Sequence, residues 1–433
     1  MLYSDPERHM NEPADVPKVE SMNVDVASST PPARGTRKRL EHIDAMRPVK
    51  QAAVVSTHAL VFFAPLTSST VIGLLMLTRF SRDAFLFVSA CMLAYSYKDS
   101  LTIKAGTYFR KRFVSVGLPY IVWTVIYYFF TMSNPVKSFP FYSLHGSGVF
   151  SSAGLHHFVQ LLLTGYYHLY YLLVIMEFYV LFPLMLMALR RFARWHTAIF
   201  IGALVWQVAY GVMLATHPWG FRVNGLWQSR LISSYPIYVI GGVIVALHLE
   251  TVHEWIKGHA RFIVSWTISS AVVAAVLSYL ARDSWLPSYL HTGSNVFSAA
   301  IVPYNVGAIL CVYLLGVFLV ADRRSARTRA VVQSGSDNSY GVYLSQMLWI
   351  PFLVRLRVDY AAHLPWPIAA PLALILTYLA GFIFTAIFAR TPLAKAVTGR
   401  SRVSWASLRP RHFFAGPEQP LRPDEGPLDV ATF

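Results

Sequence analysis

Five ionisable residues of this chain lie inside stretches of sequence that are otherwise apolar. His58 stands in VVSTHALVFF, Arg79, Arg82 and Asp83 stand in LMLTRFSRDAFLFVSA, and Glu177 stands in YYLLVIMEFYVLFP. A charged side chain near the centre of a bilayer costs at least about 2.5–3.5 kcal/mol, so residues of this kind need a reason to be there. They are the first candidates for chemistry.

The types and spacing of these residues fit acyl transfer. A neutral imidazole can accept the proton of an alcohol that attacks a carbonyl carbon, which is the general-base role that histidine fills most often. Arg79 and Arg82, at i and i+3 on one helix face, can bind an anionic donor or stabilise an oxyanion where water is scarce. Other interpretations stay open. They are helix packing for His58, an ion pair of the arginines with Asp83 or Glu177, and a mere counter-charge for Glu177.

The composition predicts the kind of fold that holds these residues. Of the 433 residues, 55% are hydrophobic and 13% are charged, and the mean hydropathy is +0.45. Soluble domains have about 25% charged residues. These values argue against a soluble enzyme and predict an all-α, polytopic membrane protein.

Ten apolar runs are long enough to cross a bilayer core of about 30 Å as helices. We therefore expect about ten transmembrane helices in one bundle. The runs span residues 48–66, 71–97, 112–132, 168–189, 196–215, 231–249, 262–280, 299–320, 338–354 and 367–389.

The basic residues are distributed as the topology of a membrane protein requires. With the N-terminus inside the cell, 29 of the 37 Lys and Arg residues fall in segments on the cytoplasmic side and six in outside loops. Cytoplasmic loops of membrane proteins carry this excess, so the net charge of +16 does not indicate nucleic-acid binding. We predict a multi-pass protein of the plasma membrane with both termini in the cytoplasm.

The ends of the chain differ in composition from its middle. We expect a disordered basic N-terminal tail over residues 1–46, a transmembrane domain over 47–390 and a disordered C-terminal tail over 391–433. The longest outside segment, 133–167, reads as a surface loop with an interfacial helix. Cys91 and Cys311 lie inside apolar runs, and the sequence indicates neither a disulfide framework nor a metal site.

The predicted helices bring the first candidates to one depth. His58 is eleven residues beyond Arg47, or about 16 Å above the cytoplasmic boundary at a rise of 1.5 Å per residue. Arg79 and Arg82 lie about 12–16 Å below the outer boundary. The short connection between the two helices makes them antiparallel neighbours, so we expect His58 and the arginine pair to face one cavity.

Several segments of the sequence resemble the motifs of a known family. RPVKQAAVVSTH, in which ten residues separate Arg47 from His58, is similar to the first-helix motif of the acyltransferase-3 family of integral membrane O-acyltransferases, and Arg79-Phe-Ser-Arg82 resembles its RxxR motif. Further segments agree in order with the family's patterns. They are FLFVSACML (85–93), FRKRFVSVGLPYIVW (109–123), HLYYLLVIMEFYVLFP (168–183) and YGVYLSQ (340–346).

The resemblance implies transfer of an acyl group, usually acetyl from acetyl-CoA, to a hydroxyl of a sugar or other acceptor. No cofactor is bound permanently, and acyl-CoA is the donor substrate. His58 carries the base role, with Arg47, Arg79 and Arg82 supporting donor binding or geometry. The sequence departs from the family pattern at Gln346, which replaces a histidine, and at 90–91, where Ala-Cys replaces Ser-Gly.

Donor and acceptor are expected to enter from opposite sides. Basic residues of the inner loops, among them Arg110, Lys111 and Arg112, offer a landing surface for polyanionic acyl-CoA. The hydroxyl-bearing sugar or glycolipid would enter from outside or from the bilayer near His168. Glu177 is a further candidate for substrate binding. The competing function is a transporter with a relay of His58, Arg79 and Glu177, although no repeat supports it. A scaffold or receptor leaves the buried charges unexplained.

Overall fold

The computed structural model describes residues 39–100, 102–133, 148–220, 228–280, 287–291, 296–321 and 324–405, and all regular structure within them is helical. The predicted all-α class is thus confirmed. The helices are α1 (Glu41–Asp44), α2 (Met46–Phe63), α3 (Ser69–Thr78), α4 (Phe80–Tyr97), α5 (Ala105–Arg112), α6 (Leu118–Ser133), α7 (Ser152–Thr164), α8 (Tyr170–Arg191), α9 (His196–Thr216), α10 (Pro236–Leu247), α11 (Leu249–Gly258), α12 (Ala260–Leu280), α13 (Val302–Leu319), α14 (Ala326–Tyr360), α15 (Trp366–Phe388) and α16 (Ala394–Thr398).

Six helical segments of the described residues are long and apolar enough to cross a membrane. They are Ala105–Thr131, Tyr170–Arg191, Ala193–Thr216, Ala260–Leu280, Ala299–Leu319 and Trp366–Phe388. The pair α10 and α11 adds a seventh candidate, but it is bent by 103° at its junction. The chain is therefore a membrane protein, whereas the predicted ten spans and the single bundle are not confirmed.

The three predicted runs outside these seven candidates include the two that carry His58 and the arginine pair. The first run corresponds to α2, which has only 18 residues and includes Arg47 and Lys50. The second run breaks at Arg79 into α3 and α4. The ninth run lies inside α14, a helix of 35 residues with a long polar first half. Polar residues that serve a site lower the hydropathy by which a span is recognised.

The core is built around α4. Its residues from Asp83 to Ala94 are all buried, and α4 packs against α2, α10 and α13. Helix α12 is the opposite case, because only Ile263 and Ala274 are buried in it. A helix that is buried on every side belongs to the centre of the protein, and one with an exposed apolar surface suits contact with lipid.

Helices α4 and α10 approach each other closely at Gly242. A Cβ atom on Gly242 would lie 2.9 Å from Ala90 Cβ and 2.5 Å from the Phe87 carbonyl oxygen, so only glycine fits there. Small residues allow such close approach between membrane helices. The Ala90-Cys91 departure therefore does not prevent close packing next to Ser89, because the partner helix supplies the glycine.

Residues at the inner edges of both predicted tails are packed. Arg39 lies 2.5 Å from Asp44 and 3.3 Å from Asp337, and Trp123 Nε1 donates to the carbonyl of Val397 (2.8 Å). The segments 1–38 and 406–433 lie outside the described residues, as do 134–147 of the predicted surface loop. Helix α7 occupies the place of the predicted interfacial helix.

Candidate active site

A cavity of about 300 Å³ lies between α2, the α3–α4 break, the start of α8 and α14. It is lined by His58, Arg79, Arg82 and His168, four of the residues predicted from sequence. Five aromatic rings complete much of the wall, namely Phe85, Tyr167, Tyr170, Tyr171 and Tyr343. The expectation that the first two helices turn their polar residues towards one cavity thus agrees with the geometry, while the roles of these residues stay predictions.

His58 enters the cavity from the last third of α2. Its ring centroid lies 5.1 Å from that of Tyr167 and 6.3 Å from that of His168. Its Nδ1 atom is buried and has no hydrogen-bond partner among the described residues. Since buried polar atoms are normally hydrogen-bonded, this nitrogen is the candidate acceptor for the proton of a substrate hydroxyl.

Arg79 occupies the junction between α3 and α4. Its N–H donates to the Met76 carbonyl (3.3 Å), and its own carbonyl accepts from the Arg82 N–H (3.3 Å). Both bonds span three residues and not four, which tightens the chain locally. The α-helical hydrogen-bond pattern of the second predicted helix is therefore interrupted where its arginines reach the cavity.

Arg82 is held on several sides. Its Nε lies 3.4 Å from Asp83 Oδ1, and the guanidinium carbon lies 5.0 Å from the ring centroid of Tyr235 and 4.7 Å from that of Phe297. Asn305 Nδ2 donates to Asp83 Oδ2 at 2.7 Å. The ion pair with Asp83 that the sequence left open is present, and it fixes the guanidinium at the cavity wall.

A tight corner ahead of α8 presents His168. Gly165 has φ +76° and Tyr167 has φ +34°, and a positive φ is rare and costly for a tyrosine. His168 is buried, and Tyr343 Oη donates to its carbonyl (2.5 Å). Strained backbone of this kind concentrates at functional sites.

The other predicted binding residues lie away from this cavity. Arg47 is buried in the first turn of α2 and forms an ion pair with Asp44 (3.3 Å). Arg110 is exposed on α5. Arg112 is buried, and its guanidinium carbon lies 5.3 Å from the ring of Tyr179. Of the three basic residues predicted to form the landing surface, Arg110 and Lys111 are exposed, whereas Arg112 is buried in the protein.

Glu177 and Gln346 also lie outside the cavity lining. Glu177 Oε2 accepts the Ile232 N–H (2.8 Å), so it serves the segment before α10. A relay that requires Glu177 beside His58 and Arg79 is therefore not favoured. Gln346 is fully buried on α14, and neither its Nε2 nor its Oε1 has a hydrogen-bond partner among the described residues.

Sequence reasoning missed two residues near the site. Lys50 is buried, and its Nζ lies 2.7 Å from the ring centroid of Phe85, a residue of the cavity wall. The available signal was its position inside the first predicted span, where a cation is as unusual as His58. Tyr343 belongs to the segment YGVYLSQ, and no pattern in the sequence shows that it contacts His168.

Comparison with known proteins gives one match. A family model described as an acyltransferase domain matches residues 41–388, which contain every residue of the cavity. Searches among curated proteins and among solved structures found no match.

Proposed function

Because the chain belongs to the acyltransferase-3 family and is therefore an acyltransferase of groups other than aminoacyl groups, we propose that it is a membrane O-acyltransferase. It moves an acyl group, with acetyl as the first choice, from cytoplasmic acyl-CoA to a hydroxyl of a carbohydrate, a glycolipid or a glycosylated small molecule. One observation carries the proposal: His58 shares a cavity with Arg79 and Arg82 and has a buried ring nitrogen without a hydrogen-bond partner among the described residues.

In this mechanism His58 is the general base. It accepts the proton of the acceptor hydroxyl as the hydroxyl oxygen attacks the thioester carbonyl carbon. The thiolate of the donor then leaves and receives a proton. Aromatic rings on much of the cavity wall reduce the water around this step, which strengthens its hydrogen bonds and ionic contacts.

The two cavity arginines take different parts. Arg82 is largely compensated by Asp83 and by two ring faces, so we assign it to the geometry of the wall. Arg79 lies at the junction of α3 and α4 and brings the second positive charge to the cavity. We therefore assign Arg79 to stabilising the negative charge of the donor or of the developing oxyanion.

The donor is proposed to arrive from the cytoplasm. With both termini inside and ten crossings of the plasma membrane, Arg110 and Lys111 on α5 face the cytoplasm and attract the phosphates of acyl-CoA. Arg47 keeps the base of α2 in place through Asp44. The acyl-CoA is a substrate, and no permanently bound cofactor is proposed.

The acceptor is proposed to be a sugar hydroxyl. Tyr167, Tyr170, Tyr171 and Tyr343 give the cavity flat rings that also carry hydroxyl groups, a combination that suits the apolar faces and polar edges of a sugar. A volume of about 300 Å³ is at the small end of ligand pockets. Cell-envelope polysaccharides, glycolipids and secreted glycosides all present such a group near the membrane.

The test is transfer of radiolabel from acetyl-CoA in purified membranes, with lipid and polysaccharide extracts as acceptors. Wild type is compared with His58→Ala and with His259→Ala, a change at an exposed histidine on the α11–α12 connection, at matched protein levels. Label should enter one extract with wild type and with His259→Ala, and not with His58→Ala. Absence of transfer by wild type, or equal transfer by His58→Ala, would overturn the proposal.

A further inference from the structure

His168 is a buried histidine of the cavity to which the proposed base mechanism gives no role. Only 4% of its surface is exposed, it lines the cavity of His58, and neither Nδ1 nor Nε2 has a hydrogen-bond partner among the described residues. A neutral imidazole carries one donor and one acceptor. To bury both without partners is costly, unless a ligand supplies them.

The protein holds the His168 ring firmly, and neither ring nitrogen has a hydrogen bond of full geometry to a described residue, although the backbone of Tyr343 and Leu344 lies beside the ring. The ring packs edge-on against Tyr127 (5.5 Å between centroids) and Tyr343 (5.1 Å), and its backbone carbonyl accepts from Tyr343 Oη. The left-handed conformation of Tyr167 immediately precedes it. Such fixation is what a preorganised hydrogen-bond donor in an active site needs.

The separation of the two histidines fits one reacting group. Their ring centroids lie 6.3 Å apart, and the ring planes are inclined by 69°. Both rings line the same cavity, and a hydrogen bond from a ring nitrogen to oxygen is about 2.8 Å long, so a hydroxyl beside one ring and the carbonyl that it attacks beside the other can lie within that cavity. We propose that His168 is a catalytic residue which donates an N–H hydrogen bond to the thioester carbonyl oxygen as that oxygen becomes an oxyanion. This inference rests on the proposed function.

The complete step balances. A lone pair of the acceptor hydroxyl forms the new C–O bond, and the hydroxyl proton moves to His58. The π electrons of the thioester carbonyl move to its oxygen, where the His168 N–H stabilises the negative charge. When the carbonyl re-forms, the C–S bond breaks, and the thiolate takes the proton from His58 to leave as a thiol. His168 keeps its own proton throughout, which distinguishes it from a second base.

The test uses His168→Phe, His168→Asn and His168→Gln in the full chain, with the transfer assay above and acetyl-CoA as the varied substrate. His168→Phe keeps the ring and loses the donor, so kcat should fall by about 100- to 1,000-fold, the loss seen on removal of one oxyanion donor, while KM for acetyl-CoA changes little. At least one amide variant should transfer faster than His168→Phe, with the pH profile of kcat unchanged. A purely structural role would not give this order or this split between kcat and KM.

His196→Phe is the matched control, because His196 is also buried but pairs with His248 and the Leu189 carbonyl outside the cavity. Its kcat should remain near that of wild type. The inference is overturned if His168→Phe keeps the kcat of wild type. It is also overturned if both amide variants are as slow as His168→Phe. In either case active wild type and inactive His58→Ala would leave the proposed function intact, whereas inactive wild type would remove both.

Discussion

Thr57 Oγ1 donates a hydrogen bond to Thr78 Oγ1 at a distance of 2.8 Å, and each threonine directly precedes a residue of the cavity. The bond joins α2 to the end of α3, one residue before His58 on one side and one residue before Arg79 on the other. It therefore fixes the relative position of the proposed base and the first arginine.

Replacing Thr78 by Val keeps the shape of the side chain and removes this bond. We expect a loss of about 1 kcal/mol in the free energy of unfolding and a fall of up to about 100-fold in kcat, because a small displacement of a reacting group has large effects. Thr57→Val should add little to Thr78→Val, since both remove one bond. Thermal unfolding in detergent and the transfer assay measure the two quantities, and fully additive losses would contradict the coupling.

Asp83 is predicted to be more important to stability than to chemistry. Asp83→Asn leaves the guanidinium of Arg82 buried without its carboxylate, which should cost about 3–5 kcal/mol of unfolding free energy. The double change Arg82→Gln with Asp83→Asn removes both charges and should recover much of that stability without recovering transfer. Denaturation in detergent tests this order, and a single Asp83→Asn variant as stable as wild type would contradict it.

Gly165 is predicted to tolerate no side chain. Its φ of +76° disfavours any L-residue, and a Cβ atom would overlap the backbone of Tyr170. Gly165→Ala should therefore destabilise the protein by at least about 1–2 kcal/mol and displace Tyr167 and His168, so that kcat falls. Gly202→Ala is the control, because nothing lies within 4 Å of its Cβ position in α9. Equal stability of the two variants would show that the corner adapts.

Arg110 and Arg112 lie on the same helix, α5, but charge reversal at these two positions should have different effects. Arg110→Glu changes an exposed residue and should raise KM for acetyl-CoA about fivefold, equivalent to about 1 kcal/mol, with a smaller effect at high salt. Arg112→Glu places a carboxylate among Tyr108 and Tyr179 and should lower the amount of folded protein. An unchanged KM in Arg110→Glu would remove the landing surface from the mechanism.

His42 on α1 is predicted to make stability depend on pH. Burial, followed by the neighbouring charge of His253, lowers the pKa of His42 from 6.5 to about 4, against the opposing effect of Asp44. The unfolded chain therefore binds a proton that the folded chain does not bind between pH 6.5 and 4. Stability should fall as the pH decreases through this interval, by at most about 1.4 kcal/mol per unit. Unfolding of His42→Gln should show a flatter profile, and an identical slope would assign the effect elsewhere.

The helical class and the polar candidates were predictable because they rest on local properties. Apolar runs, an excess of basic residues on one side and single charges inside the runs can all be read along the chain. The family motifs placed His58, Arg79 and Arg82 in one constellation, and the family match over residues 41–388 agrees with that resemblance. The positions of the apolar runs also predicted the order of the helices along the chain.

The tertiary structure decided which residues contact each other. The hydropathy of the second predicted span does not show that the helix is interrupted at Arg79, nor that Thr78, the residue before the interruption, bonds to Thr57 on another helix. Likewise, Arg112 and Arg110 look alike in sequence, and Arg112 is buried by tertiary contacts that include Tyr179. His168 and Tyr343 are 175 residues apart in the chain, and no local pattern specifies that pair. The sequence determined the chemistry that was available, and the folding of distant segments determined which groups could share it.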